Sequence, residues 1–271
     1  MKTKIMGILN ITPDSFSDGG EFNTREKAVK RAKQMLDEGA DYIDIGGEST
    51  RPGSEKIPAQ EEIKRVLPVI IAIKKQLGKD VPISIDTWKA EVAKEALAAG
   101  ATAVNSLGGF LFDEKLAKEV AKKSCMFIIY HIKGHPKTMQ QGEIAYTDII
   151  KEIGEFFVNQ ISFGEKHGIK RERFILDPGI GFGKTVEQNI EILKHLSELK
   201  KLDLPLLVGV SRKSHLGMIL KQNLNIETKP TDRLEASLAE TAIAVQNGAG
   251  IIRTHDIMQT KKFLAVLEKF L

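Results

Sequence analysis

The stretch 42-YIDIGGESTRPG-53 decides how this chain is read. Residues 42–45 are a short β-prone run, and Gly46 and Gly47 let the backbone turn as soon as the strand ends. Asp44 lies inside that run, where a carboxylate is costly unless a cation, backbone N–H groups or a ligand pairs with it. Beyond the glycines, Glu48, Ser49, Thr50 and Arg51 put acceptors, hydroxyls and a permanent cation on one loop, which Pro52 and Gly53 close. An ordinary strand and solvated turn would explain the glycines and Pro52 but not Asp44. The loop is composed to hold something polar.

Working outward, a helical pattern over 24–38 ends in Gly39-Ala40 before this strand, and another over 60–77 follows the loop. The same alternation recurs along the chain. β-rich runs fall at 5–9, 42–45, 83–85, 103–104, 126–130, 174–176, 206–210 and 251–252, with further helical patterns near 90–99, 114–123, 147–167, 186–200, 234–247 and 257–270. That order is expected of a (β/α)8 TIM barrel, and 271 residues suits its usual length of about 250. Gly-Ala pairs at 39–40, 100–101 and 248–249 each read as a left-handed helix cap before a strand, marking the bottom of the barrel. No linker or low-complexity tract divides the chain, so a single domain over 1–271 is expected. A doubly wound open sheet is the alternative, but the first strand runs into a Pro-Asp-Ser loop and not a Gly-rich turn.

Composition narrows the function classes. A chain that is 42% hydrophobic can bury a large core. It has no run of about 20 apolar residues for a membrane span, and residues 1–10 do not read as a secretory signal. The cytoplasm is the expectation. Cys125 is the only cysteine, so no internal disulfide can form. The net charge of +4 is spread over interleaved Lys and Glu, without the basic cluster of a nucleic-acid binder.

The polar residues at the strand ends carry the chemistry. They are Asn10, Asp44, Asp86, Asn105, His131, Asp177, Ser211-Arg212-Lys213, Arg253 and His255, and in a barrel all converge on the C-terminal face. Any one of them could be a helix cap or a structural histidine; together they describe a site. Carboxylates and an amide suit a flat heterocycle rich in N–H donors, whereas Arg253, Lys213 and Arg51 suit anions. The histidines lack zinc-site spacing. A metal, if used, would be Mg2+ on hard oxygen ligands such as Asn10 and a substrate phosphate.

Three loops complete this reading. In 177-DPGIGFGKT-185 a phosphate-binding loop fails at Pro178 and a dinucleotide fingerprint fails at Lys184. It is instead a Gly-rich strand-to-helix loop carrying Asp177, with Phe182 either a wall for a planar ligand or ordinary packing. The run 206-LLVGVSRKS-214 leads a buried strand into two cations and a short helix from Ser214, whose N-terminal N–H groups suit a carboxylate or phosphate. The first loop, 12-TPDSFSDGG-20, reads as a mobile lid or an ordered surface turn.

These stretches, with 6-MGILNITPDSFSDGG-20, 84-SIDT-87 and 253-RTHD-256, resemble dihydropteroate synthase nearly from end to end. The resemblance implies a (β/α)8 barrel and a transferase of folate synthesis. Such an enzyme joins p-aminobenzoate to 6-hydroxymethyl-7,8-dihydropterin pyrophosphate and releases pyrophosphate. It further implies that Asp86, Asn105, Asp177 and Lys213 hold the pterin, Asn10 binds Mg2+, and Arg253 and His255 take the pyrophosphate. Phe16, Thr50, Arg51, Pro52, Phe182 and Ser214 would form the p-aminobenzoate pocket, with Asp18 closing over the leaving group. A homodimer is implied as well. Ser106, Tyr130 and His215 depart from the family pattern, and Ser106 stands where support behind Asn105 is expected. A pterin-binding methyltransferase should lack the Lys of SRKS and the STRPG loop, both present here. A silent pterin-binding paralogue would not need Asn10, Arg51, Lys213, Arg253 and His255 together.

Overall fold

The computed structural model describes residues 2–12, 21–49, 55–142 and 144–271, without the side chains of 21–24. Eight parallel strands close into a barrel in chain order: β1 (Lys4–Asn10), β2 (Tyr42–Gly46), β3 (Ile83–Asp86), β4 (Ala103–Leu107), β5 (Met126–Tyr130), β6 (Phe174–Asp177), β7 (Leu206–Val208) and β8 (Ala249–Thr254). Around them lie α1 (Glu21–Asp37), α2 (Ala59–Leu77), α3 (Ala90–Ala98), α4 (Lys115–Ala121), α5 (Ile149–Lys166), α6 (Val186–Lys194), α7 (Ser214–Leu224), α8 (Leu234–Gln246) and α9 (Ile257–Leu267). The expected architecture is therefore the observed one.

The two-residue period of each strand sorts its side chains. Ile43, Ile45, Ile83, Ile85, Val104, Phe127, Ile129, Phe174 and Leu176 point outward and pack with the helices in the main core. The opposite parity fills the barrel. Met6, Ile128, Ile175, Leu207 and Ile251 form a separate apolar plug, flanked by Tyr42 and Met126. Each such aliphatic side chain contributes about 1.5–3 kcal/mol on full burial. Two residues further along the same inner faces stand Tyr130, Asp177 and Arg253, so the plug is the floor on which a polar mouth sits. A third cluster, Trp88, Leu107, Tyr130, Ile132, Met139 and Phe182 with Phe112 against it, packs the β3, β4, β5 and β6 loops together at one side of that mouth.

The expected bottom caps are present. Gly39 has φ +99°, its N–H reaches Leu36 O at 3.0 Å, and the Ala40 N–H reaches Met35 O at 2.9 Å. This is a Schellman cap, which closes the free carbonyls at the end of α1. Ala101 N to Ala96 O and Ile169 N to Gly164 O repeat it after α3 and α5. The pattern over 186–200 breaks into α6 and a 3-10 segment at Leu196–Leu202, because His195 leaves helical geometry at φ −106° and ψ 13°. The short helix expected at Ser214 is a full α7 of 11 residues.

Candidate active site

Above the apolar plug, two ion pairs and a hydrogen bond form a chain across four strands. Arg253 on β8 donates from Nε to Asp44 Oδ2 at 2.6 Å and from Nη2 to Asp86 Oδ2 at 2.7 Å. Asn105 on β4 donates to the same Asp44 oxygen at 3.0 Å. The partner demanded by Asp44 within its apolar strand is thus Arg253, and the pair lies one layer below the strand ends. Burial works against the charge on Arg253, yet Asp44 and Asp86 outweigh it and hold the guanidinium above its ordinary value. Burial also raises the Asp86 carboxyl, to about 7, against the pull of Arg253. Asn105 Oδ1 is buried and, among the described residues, has no hydrogen-bond partner. An orphaned acceptor of this kind costs about 1–3 kcal/mol unless a ligand or water supplies a donor.

Asp177 closes the far side. It is buried, and Oδ1 accepts from the Gly179 N–H at 2.8 Å. Burial raises its carboxyl to about 6, opposed by that N–H and by Lys213. Lys213 enters from the loop after β7 and gives Nζ to Ile180 O at 2.5 Å and to the Tyr130 hydroxyl at 3.3 Å. The same ammonium lies 4.2 Å above the Phe182 ring. Burial lowers it to about 7, with Asp177 acting in the opposite sense. A cation, two carboxylates and an unpartnered amide oxygen therefore surround one recess.

Only one of the two cations of SRKS faces that recess. Arg212 has φ +60° and pairs with Asp256 at 3.0 and 2.5 Å, away from Lys213. Arg233 holds the turn from below by donating to Arg212 O and Lys213 O at 3.1 and 3.3 Å. Ser214 then opens α7 in an exposed position, and the Lys213 side chain does not cap the helix. The first-turn N–H groups of α7 are thus left to solvent or a ligand. His255, just past the end of β8, has Nδ1 3.0 Å from Ser211 Oγ in the loop that leads to α7.

The remaining expected residues fall as follows. Asn10 is half-buried at the end of β1 and makes no side-chain hydrogen bond to protein among the described residues; its Oδ1 flanks Gly46 beside Asp86. Phe16, Asp18, Thr50, Arg51, Pro52 and all of the expected lid over 12–20 except Thr12 lie outside the described residues. His131 is buried but points out of the barrel, since Tyr130 takes the inward parity; its Nδ1 is 2.9 Å from Lys184 Nζ. Ser106 also faces outward, donating to Gly109 O at 2.6 Å, so it is not behind Asn105. His215 is buried, with Nε2 2.9 and 2.8 Å from the two Glu240 oxygens.

Sequence reading passed over two groups. Lys184 is buried, bonded to His131 and to Phe182 O at 2.9 Å, and fixes the Gly-rich loop. Gly179 in that loop has φ +74°, and a Cβ there would come within 1.8 Å of His131 O, so no other residue fits. The second group joins the ends of the β2–α2 loop. Glu48 Oε1 accepts from the Ile57 N–H at 2.7 Å, while Lys89 bridges Glu48 and buried Glu62 at 3.1 and 2.6 Å. Only the apolar neighbours of Lys184 hinted at its burial; nothing local pairs residues 48, 62 and 89.

Among the described residues no group of three or more His, Cys, Asp or Glu could hold a metal. Nor is any described helix long and apolar enough to cross a membrane.

Residues 6–255 match the pterin binding enzyme family. The chain is 48% identical over 256 residues to the dihydropteroate synthase of Synechocystis sp., spanning 94% of this chain and 86% of that protein. Among solved structures, dihydropteroate synthase from Clostridium difficile in the presence of pteroic acid superposes with a TM-score of 0.90 at 44% identity, covering 99% of this chain and 97% of that one. Dihydropteroate synthase from Xanthomonas albilineans in complex with 7,8-dihydropteroate gives a TM-score of 0.85 at 36% identity, covering 99% and 94%.

Proposed function

The chain belongs to the pterin-binding enzymes and, within them, to the dihydropteroate synthases, and from that premise we infer how its own residues serve the reaction. The enzyme is a transferase of folate synthesis. It joins p-aminobenzoate to 6-hydroxymethyl-7,8-dihydropterin pyrophosphate, giving 7,8-dihydropteroate and pyrophosphate. We propose that the full span 1–271 works as one pterin-binding domain.

The observation that carries the site assignment is Asn105 Oδ1, which is buried without a hydrogen-bond partner among the described residues and belongs to the same end of the barrel as Asp177 and Lys213. A pterin presents adjacent ring N–H and amino donors, so Asp177 and Asn105 accept from its donor edge. Lys213 donates to a ring acceptor, and Asp86, held by Arg253, closes the recess. Charge-assisted hydrogen bonds of this kind contribute about 1.5–3 kcal/mol each.

The pyrophosphate end lies toward Arg253 and His255, with Asp18 closing over it. Asn10 suits Mg2+, because a single amide oxygen plus substrate phosphate oxygens is an ordinary donor set for that ion. Bound there, Mg2+ would neutralise charge on the leaving pyrophosphate. The p-aminobenzoate carboxylate sits at the start of α7 by Ser214, with Thr50, Arg51, Pro52, Phe16 and Phe182 around the ring.

In this arrangement the bond from the pterin methylene carbon to the pyrophosphate oxygen breaks, and its electron pair leaves with the pyrophosphate. The cation left on the methylene is delocalised into the pterin ring, which Asp177, Asn105 and Lys213 hold in place. The lone pair of the arylamine nitrogen then forms the new C–N bond, and that nitrogen loses one proton. Chain residues supply orientation and electrostatics, and no covalent bond to the protein is formed.

The reading extends to a homodimer working in the cytoplasm; both rest on family membership. The test is to incubate the protein with the pterin pyrophosphate and p-aminobenzoate, with Mg2+ or with EDTA, and to measure dihydropteroate and pyrophosphate. Equal formation of both products with Mg2+ and dependence on p-aminobenzoate are expected. Turnover undiminished by EDTA would remove Mg2+ from the scheme and leave the reaction standing.

A further inference from the structure

Tyr130 ends β5 on the inner face, paired in register with Asp177 of β6. The residue is buried, and its ring stands edge-on to Phe182 with centroids 4.7 Å apart and planes at 67°. Its hydroxyl oxygen accepts from Lys213 Nζ at 3.3 Å. A phenol oxygen that accepts from an ammonium group directs its own proton elsewhere. Among the described residues no protein acceptor takes that proton. Burial, and after it the charge of Asp177, push phenol ionisation far up, so the proton stays in place.

The recess thus holds a buried donor beside the acceptors already assigned to the ring. Tyr130 and Asp177 sit side by side on neighbouring strands, which lie about 4.8 Å apart. A flat ligand whose N–H edge meets Asp177 and Asn105 brings its neighbouring ring acceptor toward the Tyr130 hydroxyl. We propose that Tyr130 is a further pterin-contacting residue of this enzyme, donating its phenolic proton to an acceptor atom of the ring while its oxygen steadies Lys213. This rests on the reading that Asp177 faces the pterin.

Two blander roles compete. Tyr130 could be a wall against Phe182, or it could act only through Lys213. Tyr130→Phe keeps the wall and removes the hydroxyl, and a cycle with Lys213→Ala separates the second role. The measurement is calorimetric titration with 6-hydroxymethyl-7,8-dihydropterin on wild type, Tyr130→Phe, Lys213→Ala, the double variant and Asp177→Asn, with p-aminobenzoate KM measured for the first two. Tyr130→Phe is expected to weaken pterin binding about five-fold, the range of one lost neutral hydrogen bond. A comparable loss is expected again in the Lys213→Ala background, with the p-aminobenzoate KM unchanged.

Unchanged pterin affinity in Tyr130→Phe overturns the proposal, since a wall is all that remains. So does a loss confined to the background that retains Lys213, or an equal rise in the p-aminobenzoate KM. If Asp177→Asn also leaves the affinity unchanged, the pterin pocket itself is misplaced, and that failure is distinct from a silent Tyr130→Phe beside a damaged Asp177→Asn.

Discussion

Arg253 Nε meets Asp44 Oδ2 at 2.6 Å inside the barrel, across 209 residues of sequence. Asp44 is fully buried and Arg253 largely so, and the carboxylate cannot fall back on water. Removing one member of such a pair typically costs about 3–5 kcal/mol, because the other charge stays buried. Asp44→Asn should come in at the lower end, about 3 kcal/mol, since Arg253 keeps Asp86. Urea denaturation should show a lower midpoint at unchanged slope. An unmoved midpoint would mean that the pair adds nothing to stability.

Asp177→Asn should weaken pterin binding at least about ten-fold. A charged hydrogen bond contributes about 1.5–3 kcal/mol, and the new amide would turn an N–H toward the ring's own donors. Calorimetric titration with the pterin measures this directly, and wild-type affinity in the variant would refute the placement of Asp177.

Lys213 and Ser214 are adjacent residues at the start of α7, yet their losses should separate. Lys213→Ala should weaken pterin binding and lower kcat, whereas Ser214→Ala should mainly raise the p-aminobenzoate KM, as expected when a uniform binding contact is lost. Steady-state kinetics with each substrate varied in turn distinguishes them. If Ser214→Ala weakens the pterin and spares p-aminobenzoate, the two substrates are placed the wrong way round.

The pH dependence follows from burial. Asp177 is raised to about 6 and Lys213 lowered to about 7, both by burial first, and the site needs the carboxylate and the ammonium together. The kcat/KM for the pterin should fall on the acid side as Asp177 takes a proton and on the alkaline side as Lys213 loses one. The two limbs belong to the interacting pair jointly. Stability carries its own signs. Between pH 3.8 and about 6 the native Asp177 holds a proton that the unfolded chain has released, so its contribution falls as pH rises. Between about 7 and 10.5 the unfolded Lys213 binds the extra proton, so stability rises with pH there. A kcat/KM profile flat to pH 9 would contradict the alkaline limb, and Lys213→Ala should reduce the stability slope above pH 7, leaving the share of buried Lys184, whose ammonium burial also pushes down.

Much of this was legible in the linear chain. Alternating strand and helix patterns, the Gly-Ala caps and the polar residue at each strand end follow from periodicities of two and 3.6 residues, which are local properties. They determined the barrel and the face on which Asn10, Asp86, Asn105, Asp177 and Lys213 stand. Parity also separates inward Tyr130 from outward His131, although that division is visible only once the strand bounds are known.

Barrel closure decided the rest. Whether Asp44 would be answered by Arg253, which cation of SRKS would turn inward, and that Tyr130 would share Lys213 with Ile180 all depend on strands brought together from distant parts of the chain. The clasp of Glu48, Lys89 and Glu62 and the burial of Lys184 against His131 are of the same kind. A buried charge is stable only with a partner at hydrogen-bond distance, and sequence spacing carries no record of that distance. Sequence alone therefore determined the barrel and the strand ends on which its polar residues stand, whereas only the tertiary structure decided which of those side chains turn inward and which are bonded to one another.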